Sequence, residues 1–140
     1  MPEQTIFPAV RYVDPRAAIA WLGRAFGAET HVMYDDDGGD VAHAEVRIAG
    51  NLVMLGTSRT DDPYPVRSPR VSGGTITASL YVVLADAAAV DAMHARAAGA
   101  GAEIAQQPHD TDYGSHDFSA RDLDGHYWTF GTYHPEHAAG

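Results

Sequence analysis

The sequence predicts an α+β fold made of two βαβββ modules, and three observations predict it. Residues 49–56 (AGNLVMLG) and 124–131 (DGHYWTFG) share one pattern: a small or acidic residue, Gly, a polar residue, a strand-forming run and Gly. Upstream of each lies a strand, an Asp and an Ala-rich helix, VRYVDPRAAIAWLGRAFGAE (10–29) in one half and VVLADAAAVDAMHARAAGAGAE (82–103) in the other. Between the halves, TSRTDDPYPVRSPRVSGG (57–74) has the Pro, Gly and polar content of a connector. A repeat of this period sets the architecture before any local assignment. Each copy is too small to bury a core alone, so the two are expected to pair around a shared concavity. Residues 1–140 read as one domain, with module 1 at about 5–56, a linker at 57–74 and module 2 at about 75–133.

The elements follow in order. Residues 6–13 (IFPAVRYV) read as the first strand, in which Pro8 lacks a donor; the strand lies at an edge or begins pairing after Pro8. Asp14 and Pro15 match an N-cap followed by Pro at the first helical position. The helix runs to about Phe26, with Ala18, Ile19, Leu22 and Phe26 as its apolar stripe, and Gly27 is a left-handed cap. His31 to Tyr34 is a short strand, and DDDGGD (35–40) is a hairpin turn. Strands at 41–48 and 51–55 are split by Gly50-Asn51. Module 2 is expected to repeat this: a strand at 75–84, Asp86 as N-cap, and a helix at about 87–98 broken by Gly99 and Gly101. A short strand surrounds Ile104, a loop spans 107–115, and strands at 116–121 and 126–132 flank a DLDG turn. The tail HPEHAAG is expected to be mobile.

Composition narrows the function classes. A chain of 140 residues can bury roughly two-thirds of the surface its unfolded form exposes. Nineteen acidic against nine basic residues give a net charge of −10, which repels phosphate backbones and argues against nucleic acid as a partner. Asp35, Asp36, Asp37 and Asp40 share one loop, and Asp61 and Asp62 another; they read as solvated charge or as a field that draws in a cationic small molecule. With no Cys, disulfides, thiolate metal sites and thiol nucleophiles are excluded. No apolar run approaches about 18 residues and no secretory signal begins the chain, so a cytoplasmic protein without a membrane partner is expected.

Period-2 alternation assigns the faces. In 41–48, Ala44, Val46 and Ile48 pack under the helix, leaving His43, Glu45 and Arg47 on the opposite face. Val53 and Leu55 go inward with Met54 outward; Trp128 and Phe130 go inward with Tyr127 and Thr129 outward. Counting back from the capping Asp residues places Phe7, Ala9 and Arg11 on one cleft wall and Ser79, Tyr81 and Val83 on the other. Glu45 is expected to pair with Arg47 or Arg11 if it binds nothing else. His94 is expected on the solvent side of its helix, and His109, His116, His126, His134 and His137 in exposed loops or the tail. No HxxxH or HExxH spacing, GxSxG elbow, P-loop or GxGxxG occurs.

The repeat, the βαβββ unit, the Asp at each helix start and the phrase ARDLDGHYWTFGTY (120–133) resemble the vicinal oxygen chelate superfamily. That family includes glyoxalase I, extradiol dioxygenases, fosfomycin-resistance enzymes and bleomycin-resistance proteins. The resemblance spans residues 6–133 and is similar above all to the small bacterial glyoxalase/bleomycin-resistance proteins. It implies a homodimer in which module 1 of one chain faces module 2 of another, or intrachain pairing across the linker. Metal-dependent members hold a divalent ion from four equivalent places, which map here to Phe7, Met54, Ser79 and Thr129. None offers a carboxylate or imidazole, and a slip of one residue is no better. The resemblance therefore implies no metal and no cofactor, and a small-molecule ligand sequestered in the inter-module cleft, as in antibiotic resistance. The candidate ligand-binding residues are Phe7, Arg11, His43, Glu45, Arg47, Met54, Tyr81, Tyr127 and Thr129, with no catalytic residue assigned. Two alternatives stand beside this. One is a glyoxalase-like metal-dependent lyase, isomerase or dioxygenase with a displaced site at His43 and Glu45. The other is a metal-free enzyme of secondary metabolism or a ligand sensor.

Overall fold

A computed structural model gives the structure of residues 3–137. Two four-stranded sheets, each with one helix, form two βαβββ modules. Module 1 contains β1 (Ala9–Tyr12), α1 (Pro15–Phe26), β2 (Glu29–Asp35), β3 (Val41–Ile48) and β4 (Asn51–Thr57). Module 2 contains β5 (Leu80–Val83), α2 (Ala87–Gly99), β6 (Glu103–Asp110), β7 (His116–Arg121) and β8 (Tyr127–Gly131). The strand orders, β1-β4-β3-β2 and β5-β8-β7-β6, are the same path drawn twice. In both, the first strand runs parallel to the last and the remaining pairs are antiparallel.

Local chemistry explains the helices. Asp14 and Asp86 have extended backbones and accept from the Ala17 and Ala89 N–H groups, so both are N-caps. Gly27 closes α1 in the left-handed conformation at φ 72°. The α1 stripe is buried as expected and is joined by Trp21 and Ala25. On α2 the buried positions are Val90 and Ala97. His94 lies between them at helical spacing and is a correction: its ring packs edge-on against buried Phe118 at 5.3 Å.

The modules join through their core sides. Helix α1 packs along α2, and the Phe26 ring lies 5.2 Å from Trp128 and 4.8 Å from Phe130. Trp21 Nε1 donates to Ala100 O across the same seam, and Arg96 donates to the Arg24 and Gly23 carbonyls. Tyr12, fully buried at the end of β1, donates to Asp122 Oδ2 at 2.6 Å. Burial, reinforced by the Asp122 charge, raises its phenol well above the usual value.

Several boundaries differ from the sequence reading. β1 starts at Ala9, because Pro8 contributes only its carbonyl, to the Met54 N–H. β5 starts at Leu80 rather than at 75, since β8 begins at Tyr127 and earlier residues have no ladder partner. β6 extends to Asp110 through two irregularities in its pairing with β7, so the loop shrinks to 111–115. β2 and β4 are likewise longer than expected. In the tail, Pro135–His137 form one 3-10 turn; the expectation for residues 138–140 lies outside the described residues.

Candidate functional site

The sheet faces turned away from the helices carry most of the candidate residues. On module 1, His43, Glu45 and Arg47 alternate with buried Ala44, Val46 and Ile48, as period 2 requires. Glu45 pairs across the ladder with Met54, and Ala9 flanks Met54 on the other side. His43 Nε2 and Glu45 Oε2 are 2.8 Å apart, and His31 Nε2 lies 4.0 Å from Glu45 Oε1. Glu45 thus pairs with histidine and not with either arginine, which corrects the expected ion pair. Arg47 donates to Gly50 O. Arg11 donates to Thr57 O and stacks 4.5 Å from the ring centre of Tyr64 in the linker.

On module 2, Tyr81 pairs with Thr129, and Thr129 Oγ1 is hydrogen-bonded to Ser119 Oγ at 2.8 Å. Tyr127 lies beneath the Arg121 guanidinium, which is held by Glu103. Asp117 shares this face and was missed from sequence, although its spacing from Ser119 and Arg121 gave the signal. It is buried, accepts from the Ser115 hydroxyl and sits beside Tyr81 Oη. Burial raises the Tyr81 phenol above its usual value, and the Asp117 charge adds to that.

The nine candidates therefore fall into groups on two separate sheets. Arg11, His43, Glu45, Arg47 and Met54 lie on the first, and Tyr81, Tyr127 and Thr129 on the second. No hydrogen bond or ion pair among the described residues joins them. Phe7 precedes β1 and is part-exposed. A cavity of about 740 Å³ lies elsewhere, between the outer edges of β1 and β5 and the linker at 66–69. Of the nine candidates only Tyr81 lines it.

Three histidines expected to be exposed are engaged. His126 donates to Arg11 O and packs edge-on against Tyr12 at 4.9 Å. His116 bridges Asp91 and Asp110, and His94 is described above.

The four positions at which the resemblance implies a metal do not fit one. Phe7 offers a ring, Met54 a thioether, Ser79 an exposed hydroxyl outside the ladder, and Thr129 a hydroxyl already bonded to Ser119. Among the described residues, no three His, Asp or Glu side chains converge in a metal-holding group. None of the helices described is long and apolar enough to cross a membrane.

A duplicated βαβββ scaffold with polar and aromatic outer sheet faces defines a class of paired-module proteins. The chain belongs to the Glyoxalase/Bleomycin resistance protein/Dioxygenase superfamily, whose model matches residues 7–130. Among solved structures it is similar to TioX from Micromonospora sp. ML1, at 32% identity and a TM-score of 0.69, over 91% of this chain and 94% of that one. It is similar in fold to FosX, the genomically encoded fosfomycin resistance protein of Listeria monocytogenes, solved as a mutant with Mn(II) and 1S,2S-dihydroxypropylphosphonic acid. Identity there is 14%, coverage 97% and 94%, and the TM-score 0.68. Lactoylglutathione lyase from Agrobacterium tumefaciens gives 21%, 93% and 94%, and 0.62. No curated protein sequence matches.

Proposed function

We propose that this chain is a cytoplasmic, metal-free binding protein of the antibiotic-resistance type that sequesters a small molecule on the outer faces of its sheets. The observation that carries this reading is the donor set at the four family metal positions, where Phe7, Met54, Ser79 and Thr129 supply no carboxylate or imidazole. The same faces supply what binding needs: tyrosine rings at Tyr81 and Tyr127 for stacking, with Arg11, His43, Glu45 and Arg47 as polar anchors. Because the two groups lie on separate sheets, a closed cleft takes module 1 from one chain and module 2 from a second copy. Light scattering at micromolar concentration is expected to give a dimer; a monomer excludes the composite cleft. Calorimetric titration of the metal-stripped protein with planar heterocyclic antibiotics tests the ligand reading. Stoichiometric binding lost in Tyr81→Ala and Tyr127→Ala supports it, and affinity unchanged by both substitutions excludes these faces.

A second reading, a metal-dependent lyase, isomerase or dioxygenase, is favoured by one contact, the His43–Glu45 pair with His31 4.0 Å from the same carboxylate. Elemental analysis of the purified protein and of His43→Ala decides it. Bound metal lost in the variant supports the enzyme. Absence of metal, with no turnover on adding Ni, Zn, Mn or Fe, disposes of it.

A further inference from the structure

Near the start of β7, on the module 2 outer face, lies a buried carboxylate whose role the fold does not consume. Asp117 is 6% exposed. One of its oxygens, Oδ1, accepts from the Ser115 hydroxyl. The other, Oδ2, has no hydrogen bond, yet it is not among the side-chain atoms sealed from solvent without a partner; the sole such atom among the described residues is Asp124 Oδ1. Asp117 Oδ2 therefore keeps some contact with solvent.

Tyr81 Oη lies beside it. Tyr81 Oη donates to Tyr133 O at 2.8 Å, Tyr133 N donates to Ser115 Oγ, and the Tyr113 and Tyr133 rings meet edge-on at 5.6 Å. Tyr81, Tyr113 and Tyr133 are all part-exposed, Tyr113 most of all. Glycine at 131 makes the arrangement possible, since a Cβ there would overlap the Asp117 carboxylate and lie 2.6 Å from Tyr81 Oη. The nearest cation on this face, Arg121, is taken by Glu103 and Gly125 O, and Arg11 and Arg47 belong to the other sheet. Among the described residues Asp117 has no ion pair.

We propose that Asp117, with Tyr81 beside it, is the anchor of a site for an organic cation, an amidinium or ammonium carried on an aromatic group. This rests on the reading that the module 2 face binds ligand, and it names the ligand class. A desolvated carboxylate holds the charged N–H groups. A neutral or anionic aromatic would leave that carboxylate desolvated without a partner, which is unfavourable.

The test uses benzamidine, benzamide and benzoate as probes on the full chain, read by amide shifts of Ser115, Gly131 and Tyr133 and by calorimetry. Benzamidine is expected to bind about tenfold or more tighter than benzamide, with benzoate weakest. Asp117→Asn, which keeps an acceptor for Ser115, is expected to abolish that preference. Should the variant fail to fold, the wild-type series decides alone. Raising NaCl from about 50 to about 500 mM must weaken benzamidine and spare benzamide. Equal affinity for benzamidine and benzamide in the wild type overturns the cation site and leaves the ligand face standing. If no probe shifts these amides while Tyr81→Ala has no effect on any antibiotic, both proposals fall.

Discussion

The two modules follow one strand-and-helix path, yet their hairpin ends behave differently. The β3–β4 turn is a plain two-residue reversal, with Ala49 at φ 48° and Gly50 at φ 82°. Its hydrogen bonds, Arg47 to Gly50 O and Asn51 to Ala49 O, stay inside module 1. The β7–β8 turn is a buried junction. Asp122 Oδ1 accepts from the backbone N–H groups of Asp124, Gly125 and His126, while Oδ2 accepts from Tyr12 and from Trp128 Nε1. Asp124 accepts from Val13 N and Ser68 Oγ, and His126 donates to Arg11 O. The second turn thus caps the open edge of β1 and ties in the linker, whereas the first reaches nothing in module 2 by hydrogen bond. A duplicated unit can keep its strand code and place an inter-module lock in only one of two equivalent turns.

The comparison breaks most sharply at Asp122. Asp122→Ala leaves the buried Tyr12 hydroxyl and Trp128 N–H unpaired together with three turn amides, and is expected to cost about 3–5 kcal/mol. Asn51→Ala in the opposite turn removes one exposed bond and is expected to cost within about 0.5 kcal/mol. Urea unfolding of both variants checks this; equal losses would mean the lock is shared between the turns.

The closing glycines sharpen it further. At Gly56 a Cβ would overlap the flexible end of Arg11 and lie 3.2 Å from Ala42 O. At Gly131 it would meet a buried carboxylate held by Ser115. A long side chain can yield where a buried one cannot. Gly131→Ala is therefore expected to destabilise by about 2–3 kcal/mol and Gly56→Ala by about 1 kcal/mol. Urea midpoints in the reverse order would show that the Asp117 carboxylate is mobile.

What the sequence revealed follows from the range of each cause. Helix caps, the α1 stripe and the inward and outward sides of β3, β4 and β8 depend on residues within a few positions, and were legible. The role of DLDG was visible only as a motif, because Tyr12, Val13 and Ser68 are more than 50 residues from it and no local pattern links them. The ends of β5 and β6 were misread for the same reason: a ladder stops where its partner stops, and Pro108 disguised a strand as a loop. Asp117 was legible by alternation, since it shares a face with Thr129 through Ser119. It escaped notice because an acidic residue near a strand end reads as solvated.

The smallest expected effect concerns pH. At the position equivalent to His116, module 1 has Ala42, so a clamp exists in one module alone. His116 Nδ1 lies 2.7 Å from Asp110 and Nε2 lies 2.7 Å from Asp91, which ties β6 and α2 to the start of β7. A neutral imidazole donates from one nitrogen only, so both bonds require the protonated ring. The hydrogen bond to Asp91, then that to Asp110, raises its pKa above the ordinary 6.5. Its stabilisation is then complete below about pH 6.5 and is lost as pH climbs through the raised folded value. Asp91 and Asp110 are well exposed and solvent screens both pairs, so the effect is modest and shrinks with salt. The difference between wild type and His116→Gln isolates the contribution of this ring. Between about pH 6 and about pH 8 the urea midpoint of the wild type is expected to fall more steeply than that of His116→Gln. Parallel slopes would show that the bridging ring adds nothing to module 2 beyond what module 1 achieves without it.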